Sequence, residues 1–353
     1  MILNQTSLFE GAEPVARLRL ADVQRDTDLG WTQTLRTGQP PHQVHHDLKQ
    51  GSGGFAGVAR VAGVELWVPE GVRFSVFNSP YPAHAGCGAL DVYFDGEALM
   101  PAGEGVVREV RRFRGPRPRS HGPGCQREEP VILIDLPGGL VLKVMHVEPS
   151  VSPGERLTRL DPMGRVVRSC YLCPWSDAHA HFEIKLGRPY RASGWAPLDL
   201  SPTLAWLGKP PEPSEEFTVD EVRDEYVWLL PKKPGSAGLV ALVGGVPAHV
   251  DGGLPHYGHG AALVNPHSPG PSGGGEGEGV TWADGTPLGE PTASLGFAVT
   301  FRPTARPVAD GLECVGVGSY LAEPRLKLIV RRGEHPWSEG DVLRLGFAPL
   351  DPR

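Results

Sequence analysis

The stretch Val131-Ile-Leu-Ile-Asp-Leu-Pro-Gly-Gly-Leu-Val-Leu-Lys-Val-Met-His146 decides the fold class. Two runs rich in β-branched and aliphatic residues flank Pro-Gly-Gly, which is the punctuation of a strand, a tight turn and a second strand. The pattern repeats on both sides: VELWV, VRFSVF, ALDVYF, GVVREVRRF and AHFEIKL lie between Val58 and Leu186, and YVWLL, GLVALV, ASLGFAVTF, LECVGVGSY, LKLIVRR and DVLRLGF follow. The 47 Gly and 37 Pro of the 353 residues place turns between these runs. Because Gly and Pro cost ~1 and ~3 kcal/mol inside helices, a helical bundle is excluded. A hydrophobic fraction of 40%, with 8 Trp and 11 Phe, is enough to build a core, so the turns do not signal disorder. The chain reads as mainly β. One helical turn is expected at the start of FTVDEVRDEYVWLL and little elsewhere.

Charge and targeting narrow the function classes. The net charge of -7 argues against a chain that binds nucleic acid as a whole. The N-terminal residues show no basic segment followed by an apolar one, and no apolar run approaches the ~18 residues of a membrane span, so a cytoplasmic location with no membrane partner is expected. Five cysteines (Cys87, Cys125, Cys170, Cys173, Cys314) are too few and too unevenly spread for a secreted disulfide framework.

Four segments are expected along the chain. Residues 1–55 are an N-terminal extension or added strands, with His42, His45 and His46. Residues 56–208 form one β-domain, and 209–216, Pro-rich and charged, form a linker. Residues 217–353 form a β-rich accessory domain, interrupted by a glycine-rich loop at Ser268–Gly279.

The segment richest in chemistry is Asp177-Ala-His179-Ala-His181-Phe-Glu183-Ile-Lys185. On a strand, residues i and i+2 share a face, so His179 and His181 project together while Ala180 and Phe182 turn to the core. Imidazole is the commonest zinc ligand, and a catalytic zinc takes three protein ligands plus water. By itself, His-x-His is also compatible with two ordinary surface histidines. A second segment, Ser79-Pro-Tyr-Pro-Ala-His84-Ala-Gly-Cys-Gly-Ala-Leu-Asp91, adds a His and an Asp at a glycine-rich entry to a strand, and Leu142-Lys-Val-Met-His146 ends another strand on His.

In order and spacing, these segments resemble the lysostaphin/LytM-type zinc metallopeptidases. Met100-Pro-Ala-Gly-Glu-Gly-Val-Val-Arg-Glu-Val110 is similar to that family's Ala-Pro-x-x-Gly-x-Val strand, and Val151 to Gly164 is similar to its glycine-aspartate turn. The resemblance covers roughly residues 65–187. It implies a folded antiparallel β-sheet of the duplicated-hybrid-motif type and one Zn2+ per chain. His84, Asp91 and His181 match the metal ligands, His146 and His179 the catalytic histidines, and Glu183 an acidic residue that orients a ligand imidazole. The implied activity is metal-assisted hydrolysis of an amide bond in a peptide substrate. This chain departs from the family in separating His84 from Asp91 by six residues where three are usual, and in carrying Val144 where a Tyr is common. Peptidoglycan, the usual substrate of that family, lies outside the expected compartment. Two alternatives therefore stand beside the peptidase: a metal-binding module of the same fold that recognises a protein or anionic partner without hydrolysis, and an anion- or nucleic-acid-binding protein.

The last alternative rests on Arg108, Arg111, Arg112, Arg114, Arg117, Arg119 and Arg127, which also suit a solvated loop. Cys170-Tyr-Leu-Cys173 reads as passive buried thiols, or else as half of a metal or redox site. His249, Asp251, His256, His259 and His267 read as loop residues, or else as metal ligands or the lining of a cleft if this region folds against the first domain.

Overall fold

A computed structural model describes residues 54–117, 124–264 and 279–350. The expected extension as far as residue 53, with His42, His45 and His46, lies outside the described residues, as do Arg119, His267 and residues 268–278 of the glycine-rich loop. The described residues belong to one compact unit, Gly51–Arg353. They are mainly β, as the turn-punctuated sequence requires, with 50% in strands against 5% in helices.

The Val131 stretch forms the centre of a seven-stranded antiparallel sheet. Its strand order is Arg156–Thr158, Glu104–Arg114, Glu128–Asp135, Val141–Met145, Ala180–Lys185, Leu90–Val92 and Phe74–Ser75. Both faces of Glu128–Asp135 are covered. Ile132 and Ile134 enter the main core, while Val131 and Leu133 join Val141 in a small cluster on the opposite face. That double burial explains why the run is continuously apolar rather than alternating. Ala180, Phe182 and Ile184 also enter the main core, which turns His181, Glu183 and Lys185 to the other face of their strand.

Phe55–Val61 pairs with Val64–Pro69, and Glu97–Leu99, Pro162–Val166 and Val147–Pro149 form a three-stranded sheet, while the strands from Glu216 onward build a 13-stranded sheet. Val240–Val243, Val280–Thr281, Pro287–Ser294, Ala298–Pro303, Gly260–Leu263 and Val246–Leu254 close on themselves as a six-stranded antiparallel barrel. Val246–Leu254 also pairs with Gly316–Ser319, the first strand of a curled extension. No helix or strand occupies 209–215. Ala237, Ala261, Leu263, Ala298 and Leu321 lie in the same core cluster as the first sheet.

Two expectations are corrected. FTVDEVRDEYVWLL makes no helical turn: Glu216–Val222 and Tyr226–Pro231 pair as an antiparallel hairpin. Phe217 and Val219 point inward while Thr218 and Asp220 face out, a period of two that outweighs the helix propensity of Glu221 and Glu225. His249 and Asp251 are not loop residues, because Val246–Leu254 is a buried strand that carries both on one face.

Candidate metal centre

His84 sits in the short helix Pro82–Ala85, Asp91 in the Leu90–Val92 strand and His181 in the neighbouring strand Ala180–Lys185. Asp91 and His181 are direct partners in the antiparallel register. The six-residue separation of His84 from Asp91 is absorbed by the helical turn and by Cys87, whose φ of 56° reverses the chain. The loop's glycines are needed there, since a Cβ at Gly86 or Gly88 would lie 2.0 or 2.3 Å from the Trp195 ring. The loop is tied down by the Leu198 N–H, which donates to the Cys87 carbonyl at 2.7 Å.

Three ligand atoms meet at one point. His181 Nδ1 is 2.8 Å and His84 Nε2 is 3.3 Å from Asp91 Oδ1, and the two nitrogens are 3.2 Å apart. An outer partner fixes which nitrogen of His84 carries its hydrogen. His84 donates Nδ1–H to the Val76 carbonyl at 2.6 Å, so its Nε2 carries a lone pair. His181 sits between two carboxylates, with Nε2 3.1 Å from Glu183 Oε1 and Nδ1 2.8 Å from Asp91 Oδ1, so that giving Nε2–H to Glu183 frees Nδ1 for a cation. His84 Nε2, His181 Nδ1 and Asp91 Oδ1 thus face one another, and only a proton or a cation can join them. Asp91 Oδ2 accepts no hydrogen bond although it is fully buried. The donor set of two imidazoles and one carboxylate suits zinc. His84, Asp91 and His181 thus fit the metal that the sequence implies.

The electrostatics agree. Burial pushes the Asp91 carboxyl up, but the surrounding imidazoles hold it well below the ordinary range. Burial disfavours a charged His181, yet its hydrogen bonds to Asp91 and Glu183 raise it to about 9. The pocket thus favours positive charge between these groups. Glu183 is itself gripped by Lys143 Nζ at 2.7 Å and Lys185 Nζ at 2.9 Å.

The two other histidines stand beside the ligands. His179 Nε2 is 3.3 Å from Asp91 Oδ2, and its Nδ1–H donates to the Asp177 carbonyl at 2.9 Å. The His146 ring lies 5.3 Å from that of His179 and 6.0 Å from that of His181. His146 has a φ of 63°, uncommon for a side chain of this size. Glu129 stabilises this conformation by accepting both the backbone N–H at 2.7 Å and Nδ1–H at 3.0 Å. Glu129 in turn accepts the Ser169 hydroxyl. All six residues singled out in the sequence are thus brought together.

Sequence reasoning missed the residues that hold them. Glu129 opens an apolar strand and carries no motif. Lys143 did leave a trace as the lone charge inside LVLKVM, and Lys185 as the residue two after Glu183 in FEIK. Asp177 is held by Arg73 Nη2 at 2.7 Å and Lys327 Nζ at 2.8 Å. Burial opposes ionisation of Asp177, but these two cations hold its carboxyl at about 2. Lys327 is completely buried, with its ammonium 4.2 Å from the Tyr226 ring centroid and 4.7 Å from that of Trp228. No periodicity links position 327 to position 177.

The weaker signals resolve differently. Cys170 is not a passive thiol: it forms a disulfide with Cys125, and Cys173 takes no part in that bond. Cys87 is buried and donates its thiol to the Leu198 carbonyl at 3.4 Å. Arg108, Arg111 and Arg112 are paired with Asp135, Glu109 and Glu148. His256 packs edge-on against Trp175, with ring centroids 5.7 Å apart. No helix of the described residues is long and apolar enough to cross a membrane.

Comparisons with curated proteins and with solved structures give no match. Residues 65–200, which include His84, Asp91, His146, His179, His181 and Glu183 but neither Asp251 nor Lys327, match the family described as "Domain of unknown function (DUF8155) N-terminal domain".

Proposed function

We propose that the protein is a zinc-dependent hydrolase of peptide or other amide bonds. The observation that carries this reading is the convergence of His84 Nε2, Asp91 Oδ1 and His181 Nδ1, with Val76 and Glu183 placed to take the outer N–H of each imidazole. A zinc ion held there would supply Lewis acidity to polarise a scissile carbonyl and make water acidic enough to attack near neutral pH.

The chain's own residues have separate tasks. His84, Asp91 and His181 hold the metal, and Glu183 keeps His181 in the tautomer that can do so. His179 donates at Nδ1 to a backbone carbonyl, which leaves Nε2 free to take a proton from the attacking water. His146 is likewise fixed by Glu129 at Nδ1, with Nε2 free to carry a proton that stabilises the developing oxyanion.

The test has two steps. Purified protein is expected to hold one zinc per chain, lost in His181→Ala or Asp91→Ala. On a peptide library, His146→Ala and His179→Ala are expected to lower hydrolysis by ~10²–10⁴-fold with zinc retained. Absence of zinc from the wild-type chain, even after incubation with the metal, would sink the hydrolase reading.

A second reading is favoured by one observation: His146, His179 and His181 are only 3–5% exposed, and His84 and Asp91 are fully buried. A metal in such a closed site can serve a binding module of the same fold that presents its surface to a protein or anionic partner. Zinc binding without peptidase activity, with both catalytic-position variants indistinguishable from wild type, selects that reading.

A further inference from the structure

We propose that Asp251, on the Val246–Leu254 strand of the C-terminal half, is a positioning residue for the metal ligand His84. The inference rests on the metal-site reading above.

Asp251 is completely buried and faces the turn that follows the Phe74–Ser75 strand. Its Oδ1 accepts the Ser75 hydroxyl at 2.6 Å, and its Oδ2 accepts the N–H groups of Val76 at 2.6 Å and Phe77 at 3.1 Å. Ser75 Oγ accepts the Asn78 N–H at 2.9 Å, so the carboxylate organises four consecutive residues.

The decisive unit is the peptide between Val76 and Phe77. In a trans peptide the C=O and N–H lie in one plane and point in opposite directions. Asp251 grips the Phe77 N–H, and the Val76 C=O at the other end accepts His84 Nδ1–H at 2.6 Å. Carboxylate, peptide and imidazole thus form one line of hydrogen bonds. The charge at its start polarises the peptide, strengthens the carbonyl as an acceptor and makes His84 Nε2 a better donor to a cation. Burial pushes the Asp251 carboxyl up to about 6, which still leaves it ionised at neutral pH. Ser75 also pairs with Asp91 across the sheet, so the same turn borders a second ligand. The C-terminal half therefore supplies part of the support for a metal site whose ligands all lie in the first half.

Metal affinity of the full chain, measured by zinc competition against a chromophoric chelator and by the visible absorption of the Co2+-loaded protein, tests this. Asp251→Asn keeps the shape but sets an amide N–H₂ against backbone donors. It is expected to weaken zinc ~10–100-fold and to alter the Co2+ spectrum. Leu345→Ala, a core truncation on a strand remote from the turn, is expected to lose stability yet bind both metals as wild type does. Should Asp251→Asn fail to fold, Ser75→Ala removes one of the carboxylate's three donors and is expected to weaken zinc severalfold. Wild-type affinity and spectrum in Asp251→Asn, or in Ser75→Ala where that variant decides, would overturn the positioning role while leaving the metal site intact. A wild-type chain that binds neither metal overturns the metal reading itself.

Discussion

Two buried polar clusters lie within a few residues of each other along the chain, and they are built on opposite principles. Around Asp177, the cations of Arg73 and Lys327 meet the carboxylates of Asp177 and Glu323 under the aromatic rings of Tyr93, Tyr226, Trp228 and Tyr320. That cluster is complete, because every charge has its opposite inside the protein. Around Asp91, the imidazoles of His84, His179 and His181 reach Val76, Asp177 and Glu183 with their outer nitrogens and turn their inner nitrogens to one carboxylate. Only a proton or a cation can join those inner nitrogens to Asp91, whose Oδ2 accepts no hydrogen bond. Buried polar groups by themselves do not mark a site; a cluster that is satisfied everywhere except at its centre does.

The contrast can be broken at several points. Asp177→Ala leaves the Lys327 ammonium fully buried with no anion within hydrogen-bonding reach, and is expected to cost ~3–5 kcal/mol in denaturant unfolding. An unchanged midpoint would mean that the cluster is hydrated rather than closed. At the incomplete cluster the dependence is on metal. Zinc at a thousand times its Kd is expected to raise the unfolding free energy by ~4 kcal/mol, reversibly with chelator. Asp91→Asn should abolish that increment, yet change the metal-free protein by less than about 2 kcal/mol.

A histidine whose charge is opposed chiefly by burial sharpens the comparison further. Burial pushes His249 down to about 4. As pH falls below about 6.5 the unfolded chain takes up the proton first, so the stability that neutral His249 allows is full above that pH and is lost as pH drops toward 4. His249→Gln is expected to remove ~2–3 kcal/mol of this acid dependence, read as a flatter plot of stability against pH between 4 and 6.5. The smallest effect belongs to the surface. Arg112 and Glu148 are roughly one-third exposed, and Arg112→Ala should move stability by no more than ~1 kcal/mol.

Much of the candidate centre was legible in the sequence because its ligands obey short-range rules. His179 and His181 share a face through the two-residue period of a strand, and the alternating Ala180 and Phe182 enter the core as that period requires. The longer His84–Asp91 spacing was visible, but its resolution was not. It depends on a helical turn, a left-handed Cys87 and a ring of Trp195 more than a hundred residues away. Cys170 shows the same limit. Its nearby Cys173 suggested a local pair, whereas its partner is Cys125, 45 residues earlier.

The sequence alone determined the mainly β architecture and the identity of the metal-site candidates. Turn residues and strand periodicity act over a few positions, and so they can be read along the chain. Tertiary structure alone decided that Glu129 would hold His146, that Lys327 would neutralise Asp177, and that Asp251 would reach the peptide behind His84. These pairings join residues separated by as much as 174 positions, and no local propensity encodes them. They arise because a buried carboxylate must find its donors wherever the packed sheets place them.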